Sequence, residues 1–125
     1  MPMKAKGHDQ ALEKIRSLCL ALPEACEVEA WGHPTFRAGK KMFAAYGGEG
    51  NDMSLGLKVG FERQDELLAD SRFFLTPYAA HQGWVSLWIN DKSNWSEVCG
   101  LLRHAYRQVA LKRMLKALDA EETHS

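Results

Sequence analysis

Apolar residues recur along this chain with two different periods, and the switches between them divide it into elements. Ala11, Leu12, Ile15, Leu18, Cys19 and Leu22 repeat at helical spacing and form one stripe, with Asp9 placed to cap the helix and Pro23 to end it. Cys26, Val28 and Ala30 then alternate with Glu27, Glu29 and Trp31, which predicts a half-buried strand with an acidic outer face. Residues 35–38 and 41–46 read as a hairpin turning at Gly39 and Lys40, after a corner punctuated by Gly32 and Pro34. In its second strand Met42, Ala44 and Tyr46 take one face and Phe43 and Ala45 the other. Residues 47–52 read as a glycine-rich loop. Leu55, Leu57 and Val59 alternate with Ser54, Gly56 and Lys58 as a further strand, which Gly60 ends. A short acidic helix over 62–70 turns Leu67 and Leu68 inward, 71–83 is irregular and aromatic, and 84–90 is the last strand, with Val85, Leu87 and Ile89 opposite Trp84, Ser86 and Trp88.

Residues 94–118 look like one long helix until its apolar phase is followed. Val98, Leu101, Leu102, Ala105 and Val109 share a face. Continued at about 100° per residue, that face arrives at Lys112, Arg113 and Lys116, while Leu111, Met114, Leu115 and Leu118 fall opposite. A straight helix buried on one side cannot satisfy both sets, so the phase predicts a break near Ala110 and two C-terminal helices. The order of elements is that of an α+β domain, with an N-terminal helix, an antiparallel sheet and two terminal helices.

Composition adds bounds. At 125 residues the chain reads as one domain, 1–125, with a core over about 9–118 and loose tails at 1–8 and 119–125. Sixteen lysines and arginines balance sixteen aspartates and glutamates, which argues against strong nonspecific nucleic-acid binding but leaves room for a local basic patch. No apolar run approaches the roughly 20 residues of a membrane span, and residues 1–10 are polar, unlike a signal peptide. Cys19, Cys26 and Cys99 are scattered, without a Cys-x-x-Cys pair, as expected of reduced thiols in a monomeric cytoplasmic protein. Cys19, within the apolar stripe, reads as a core residue.

Enzymatic and metal chemistry find little support. The glycines of 47–52 lack the Gly-Lys-Ser/Thr ending and following helix of a phosphate loop. No serine sits in a Gly-x-Ser-x-Gly elbow. His33, His81, His104 and the cysteines have none of the close spacings of a structural zinc site, and Lys14 and Arg16 interrupt the acids of the first helix, which disfavours a hard cation. The expectation is a non-enzymatic protein with no cofactor and no metal.

Two blocks of residues carry a family resemblance. Trp31-Gly32-His33-Pro34-Thr35-Phe36-Arg37 with Gly39-Lys40-Lys41-Met42-Phe43-Ala44 resembles the signature of the MmcQ/YjbR family, and Thr76-Pro77-Tyr78, His81 and Gly83-Trp84-Val85-Ser86-Leu87 resemble its second signature. The resemblance implies a CyaY-like, frataxin-like two-layer sandwich, also described as a double-wing DNA-binding domain, with paired C-terminal helices. It implies no established enzymatic activity. One position departs: Trp88 stands where many relatives place an arginine.

Two binding readings follow. In the first, DNA is the partner. Arg37, Lys40 and Lys41 on the hairpin act as a wing, and Arg103, Arg107, Lys112, Arg113 and Lys116 make the C-terminal helices basic. In the second, a small molecule or protein binds an aromatic and histidine cleft built from Trp31, His33, Phe36, Tyr78, His81 and Trp84.

Overall fold

The computed structural model describes residues 6–49, 52–90 and 92–124. In chain order it runs α1 (Lys6–Leu20), β1 (Ala25–Ala30), β2 (His33–Ala38), β3 (Lys41–Glu49), β4 (Asp52–Lys58), α2 (Phe61–Leu68), β5 (Phe73–Leu75), β6 (Trp84–Ile89), α3 (Trp95–Val109) and α4 (Lys112–His124). The strands form one antiparallel sheet in the order β1-β2-β3-β4-β6-β5. α1 packs on β1 and α3, and α3 crosses β2, β3 and β4.

The core lies between the helices and one face of this sheet. Phe36, Phe43, Leu55, Leu57 and Val85 from the strands meet Ile15 and Cys19 of α1 and Leu102, Ala105 and Tyr106 of α3, all buried. Phe43 and Tyr106 meet edge to face at 5.6 Å, and the Tyr106 hydroxyl donates to the Pro23 carbonyl at 2.6 Å. Burial pushes the Cys19 thiol well above its ordinary value, as befits a core residue.

The expected helix break is present. Ala110 is extended (ψ 145°), which ends α3 and lets α4 return Met114 and Leu118 to the core. The chain does not loosen at 119. α4 continues to His124, and Asp119 and Glu122 bond Arg107 and Arg103 of α3 at 2.6–3.0 Å. At the other end α1 begins at Lys6, so Asp9 lies inside the helix rather than at its cap; residues 1–5 of the expected tail lie outside the described residues.

Three further expectations are corrected. The stretch 47–52 is strand on both sides, β3 reaching Glu49 and β4 starting at Asp52, with 50 and 51 outside the described residues. Gly48 is needed there because a Cβ would stand 2.1 Å from the Asp52 carbonyl oxygen, a close strand approach rather than a phosphate cradle. Within 71–83, Phe73–Leu75 pairs with β6 and Ala80–Gln82 makes a 3-10 turn. Finally, β1 faces opposite to its alternation. Val28 and Ala30 pair with Thr35 and His33 on the helix-free face, while Glu27 pairs with Phe36 on the helix side. An edge strand tolerates this because Arg16 of α1 grips Glu27 with two bonds, at 2.6 and 3.0 Å. That grip holds the Glu27 carboxyl below the usual carboxylate range.

Candidate functional site

The helix-free face of the sheet is built from positions the strand period turns away from the core. Thr35 of β2, Ala45 and Gly47 of β3, Ser54 and Gly56 of β4, and Trp84 and Ser86 of β6 all fall on it. The small residues lower this surface. Residues 76–79 and the corner residues Trp31 and His33 add further walls. Between them lies a cavity of about 720 Å³.

Its most exposed walls are Trp31 and Tyr78. Both have left-handed backbones, φ 52° and 66°, and the residues are 82% and 99% exposed. Neither residue is glycine or asparagine, so each conformation is sterically unfavourable. The indole of Trp84 lies deeper, next to Gly56, where a Cβ would sit 3.6 Å from the ring. His33 lies against bare backbone: a Cβ on Gly47 would stand 2.5 Å from its Nδ1.

The hydroxyls of the wall are partly engaged. Thr35 donates to the Val28 carbonyl, and the Thr76 and Ser86 hydroxyls share one hydrogen bond of 2.8 Å. The Ser54 hydroxyl reaches the Gly47 carbonyl at 3.5 Å. Gln82 and His33 complete the polar lining. Among the described residues no aspartate, glutamate, lysine or arginine lines the cavity, and no group of three or more metal-binding side chains is arranged to hold an ion. Arg37, Asp52 and Lys58 share this side of the sheet by register but stand outside the lining. Trp88 stacks on Phe74 at 4.4 Å nearby, also outside it.

The expected cleft is therefore largely assembled but not complete. Trp31, His33, Tyr78 and Trp84 line it together. Phe36 does not: it follows Thr35 on a strand, so it points to the helices and is fully buried. His81 is exposed on the 3-10 turn and outside the lining, and its neighbour Gln82 takes the inward place. The alternation of β2 carries the signal that excludes Phe36. Nothing in the sequence distinguishes His81 from Gln82.

The basic residues divide. Arg103 and Arg107 of α3 are ion-paired to α4, and Arg113 bonds Glu24 twice at 2.8 Å. These arginines fasten helices and loops to one another. Lys40, Lys41, Lys112 and Lys116 are exposed and in no ion pair among the described residues. The β2–β3 turn meets α4, since a Cβ on Gly39 would stand 3.2 Å from Met114 Cε, so the hairpin lysines share one end of the molecule with that helix. Arg37 is half-buried, its Nε enclosed without a hydrogen-bond partner.

Comparison with known proteins gives one family and one fold. The sequence model of the YjbR family matches residues 20–108. Among solved structures, the Deinococcus radiodurans protein DR2400, which carries the family-model domain DUF419, superposes with a TM-score of 0.68. The match has 23% identity and covers 86% of this chain and 87% of that one. No curated protein matches.

Proposed function

The chain belongs to the YjbR family, and from that premise we propose that it is a non-enzymatic binding protein whose ligand occupies the cleft between Trp31 and Tyr78. One observation carries this reading. Two large aromatic side chains stand almost fully in water, on strained left-handed backbone, over the same cavity. Such strain costs roughly 1–3 kcal/mol per residue and persists where the site needs it. Exposed rings return nothing to folding, whereas a ligand between them would cover both. The cavity volume lies within the roughly 300–1,000 Å³ of small-molecule sites. Hydroxyls engaged with carbonyls and with each other suit holding a ligand rather than activating one.

The test is a thermal-shift screen of a small-molecule library against the native chain and the Trp31→Ala/Tyr78→Ala variant. The reading expects compounds that raise the melting temperature of the native chain and leave the variant unmoved. A screen without stabilising compounds, or compounds that act equally on both, would overturn it.

DNA binding through the hairpin is the second reading, supported by four lysines, on the β2–β3 turn and the α4 that meets it, that are in no ion pair among the described residues. Lys40→Ala/Lys41→Ala should then weaken duplex binding and flatten its decline between about 50 and 200 mM salt, since each lost phosphate contact removes a released counterion. An unchanged slope refutes the wing.

A further inference from the structure

The arginines of this molecule follow one rule, with one exception. Arg16, Arg63, Arg72, Arg103, Arg107 and Arg113 each hold a carboxylate. Arg37 is half-buried and holds none among the described residues, and its enclosed Nε has no hydrogen-bond partner. A cation drawn out of water is normally given an acid by the fold. Lys58 repeats the exception: it is half-buried, and its ammonium is in no ion pair or hydrogen bond among the described residues.

These two cations lie in one row across the helix-free face, at the edge of the cleft. Arg37 is the cross-strand partner of Met42, and Lys58 that of Trp84. Met42 and Trp84 both line the cavity. Directly opposed side chains stand about 5 Å apart at their Cβ atoms, so each cation borders the lining. The strands that carry Arg37 and Lys58 are separated only by β3. That spacing is about 10 Å, which two long side chains can close around one anion. The other neighbour of Arg37 in the row is Cys26, not an acid. Asp52 shares this face but lies at the far end of β4, about 20 Å from Lys58 at the rise of a strand.

The cleft thus joins aromatic walls to a positive rim that has no acid beside it. A flat ring carrying an oxyanion complements both. A guanidinium meets carboxylate or phosphate oxygens with paired N–H donors, and an ammonium adds a point charge. Resting on the cleft reading above, we infer that the ligand is a small aromatic anion, its ring against the walls of the cleft and its carboxylate or phosphate held between Arg37 and Lys58.

Three naphthalenes test this: 2-naphthyl phosphate and 2-naphthoate, both anions, and neutral 2-naphthamide. Calorimetry on the full chain reads their binding. At least one anion is expected to bind tenfold or more tighter than the amide, and the tighter of the two identifies the oxyanion. Arg37→Gln/Lys58→Gln should lose that tenfold and leave the amide unchanged. Trp31→Ala/Tyr78→Ala should weaken all three compounds. Salt supplies a second measure on the unaltered chain, should the glutamine variant fail to fold: anion affinity should fall severalfold between about 50 and 300 mM while that of the amide holds.

If the amide binds as well as the anions, or the anions keep their affinity in the glutamine variant or in salt, while the aromatic variant abolishes binding, the oxyanion inference is wrong and the cleft stands. If none of the three binds, or binding ignores the loss of both rings, the inference and the cleft assignment fall together.

Discussion

On β4 and β6 the same strands serve two surfaces. Leu55, Leu57, Val85 and Leu87 point to the helices and are at most 3% exposed. Ser54, Gly56, Trp84 and Ser86 point the other way and line the cleft. The helix side is filled by branched and aromatic side chains at contact distance, which is where apolar burial stabilises the domain. The far side has glycines where close packing would want methyl groups, and two of its large rings, Trp31 and Tyr78, stand in solvent while Trp84 is buried. One side is packed as a core is, and the other is left open, which is the basis of the proposed ligand site.

The hardest way to break this contrast is to cut one large ring from each side. Phe36→Ala removes a fully buried ring from the helix side and should cost about 3–5 kcal/mol. Trp31→Ala removes a ring that is 82% exposed and should cost under about 0.5 kcal/mol. Urea unfolding of both variants checks the pair. A Trp31→Ala loss approaching that of Phe36→Ala would mean that the corner is part of the core.

A smaller effect sharpens the same contrast. Glycine adopts the left-handed region freely, so Trp31→Gly or Tyr78→Gly relieves strain while giving the unfolded chain more freedom. Each should be up to about 1 kcal/mol more stable than the native chain, or unchanged. A gain in stability together with lost binding identifies strain kept for function. Destabilisation beyond about 1 kcal/mol would show the rings to be packed for folding instead.

Much of this division is legible from residues, where a period is long enough to set a face. The alternation of 54–59 and 84–89 assigns both surfaces correctly, and the phase change between Val109 and Met114 marks the helix break. Elsewhere the period misleads or is silent. In β1 the acids point to the helix margin because Arg16 lies eleven residues away in sequence but adjacent in space. Phe36 joins the core although it lies within a stretch whose neighbours build the cleft. The left-handed backbone of Trp31 and Tyr78 leaves no trace in composition, because residues that favour it are absent there. Serines and threonines are too common for four of them to announce a polar wall.

The least effect is expected at the margin between the surfaces, where Arg72 before β5 bonds Asp70 and reaches Glu97 in the first turn of α3. The side-chain bond from Arg72, helped by its backbone N–H, lowers the Asp70 carboxyl from an ordinary 3.8 to about 2. A carboxyl held down in the folded state adds stability that is complete above its unfolded value and is lost as pH falls through its folded one. The window is therefore pH 3.8 down to about 2. Both partners are largely solvated, so the contribution is small and weakens with salt. Asp70→Asn should flatten the acid limb of urea midpoints in that window and leave midpoints at pH 7 nearly unchanged. It should also leave binding at the cleft untouched, because no group of the Arg72 cluster lines it. An Asp70→Asn variant that altered ligand affinity would mean that the margin communicates with the far side of the sheet, and that the two surfaces are not independent.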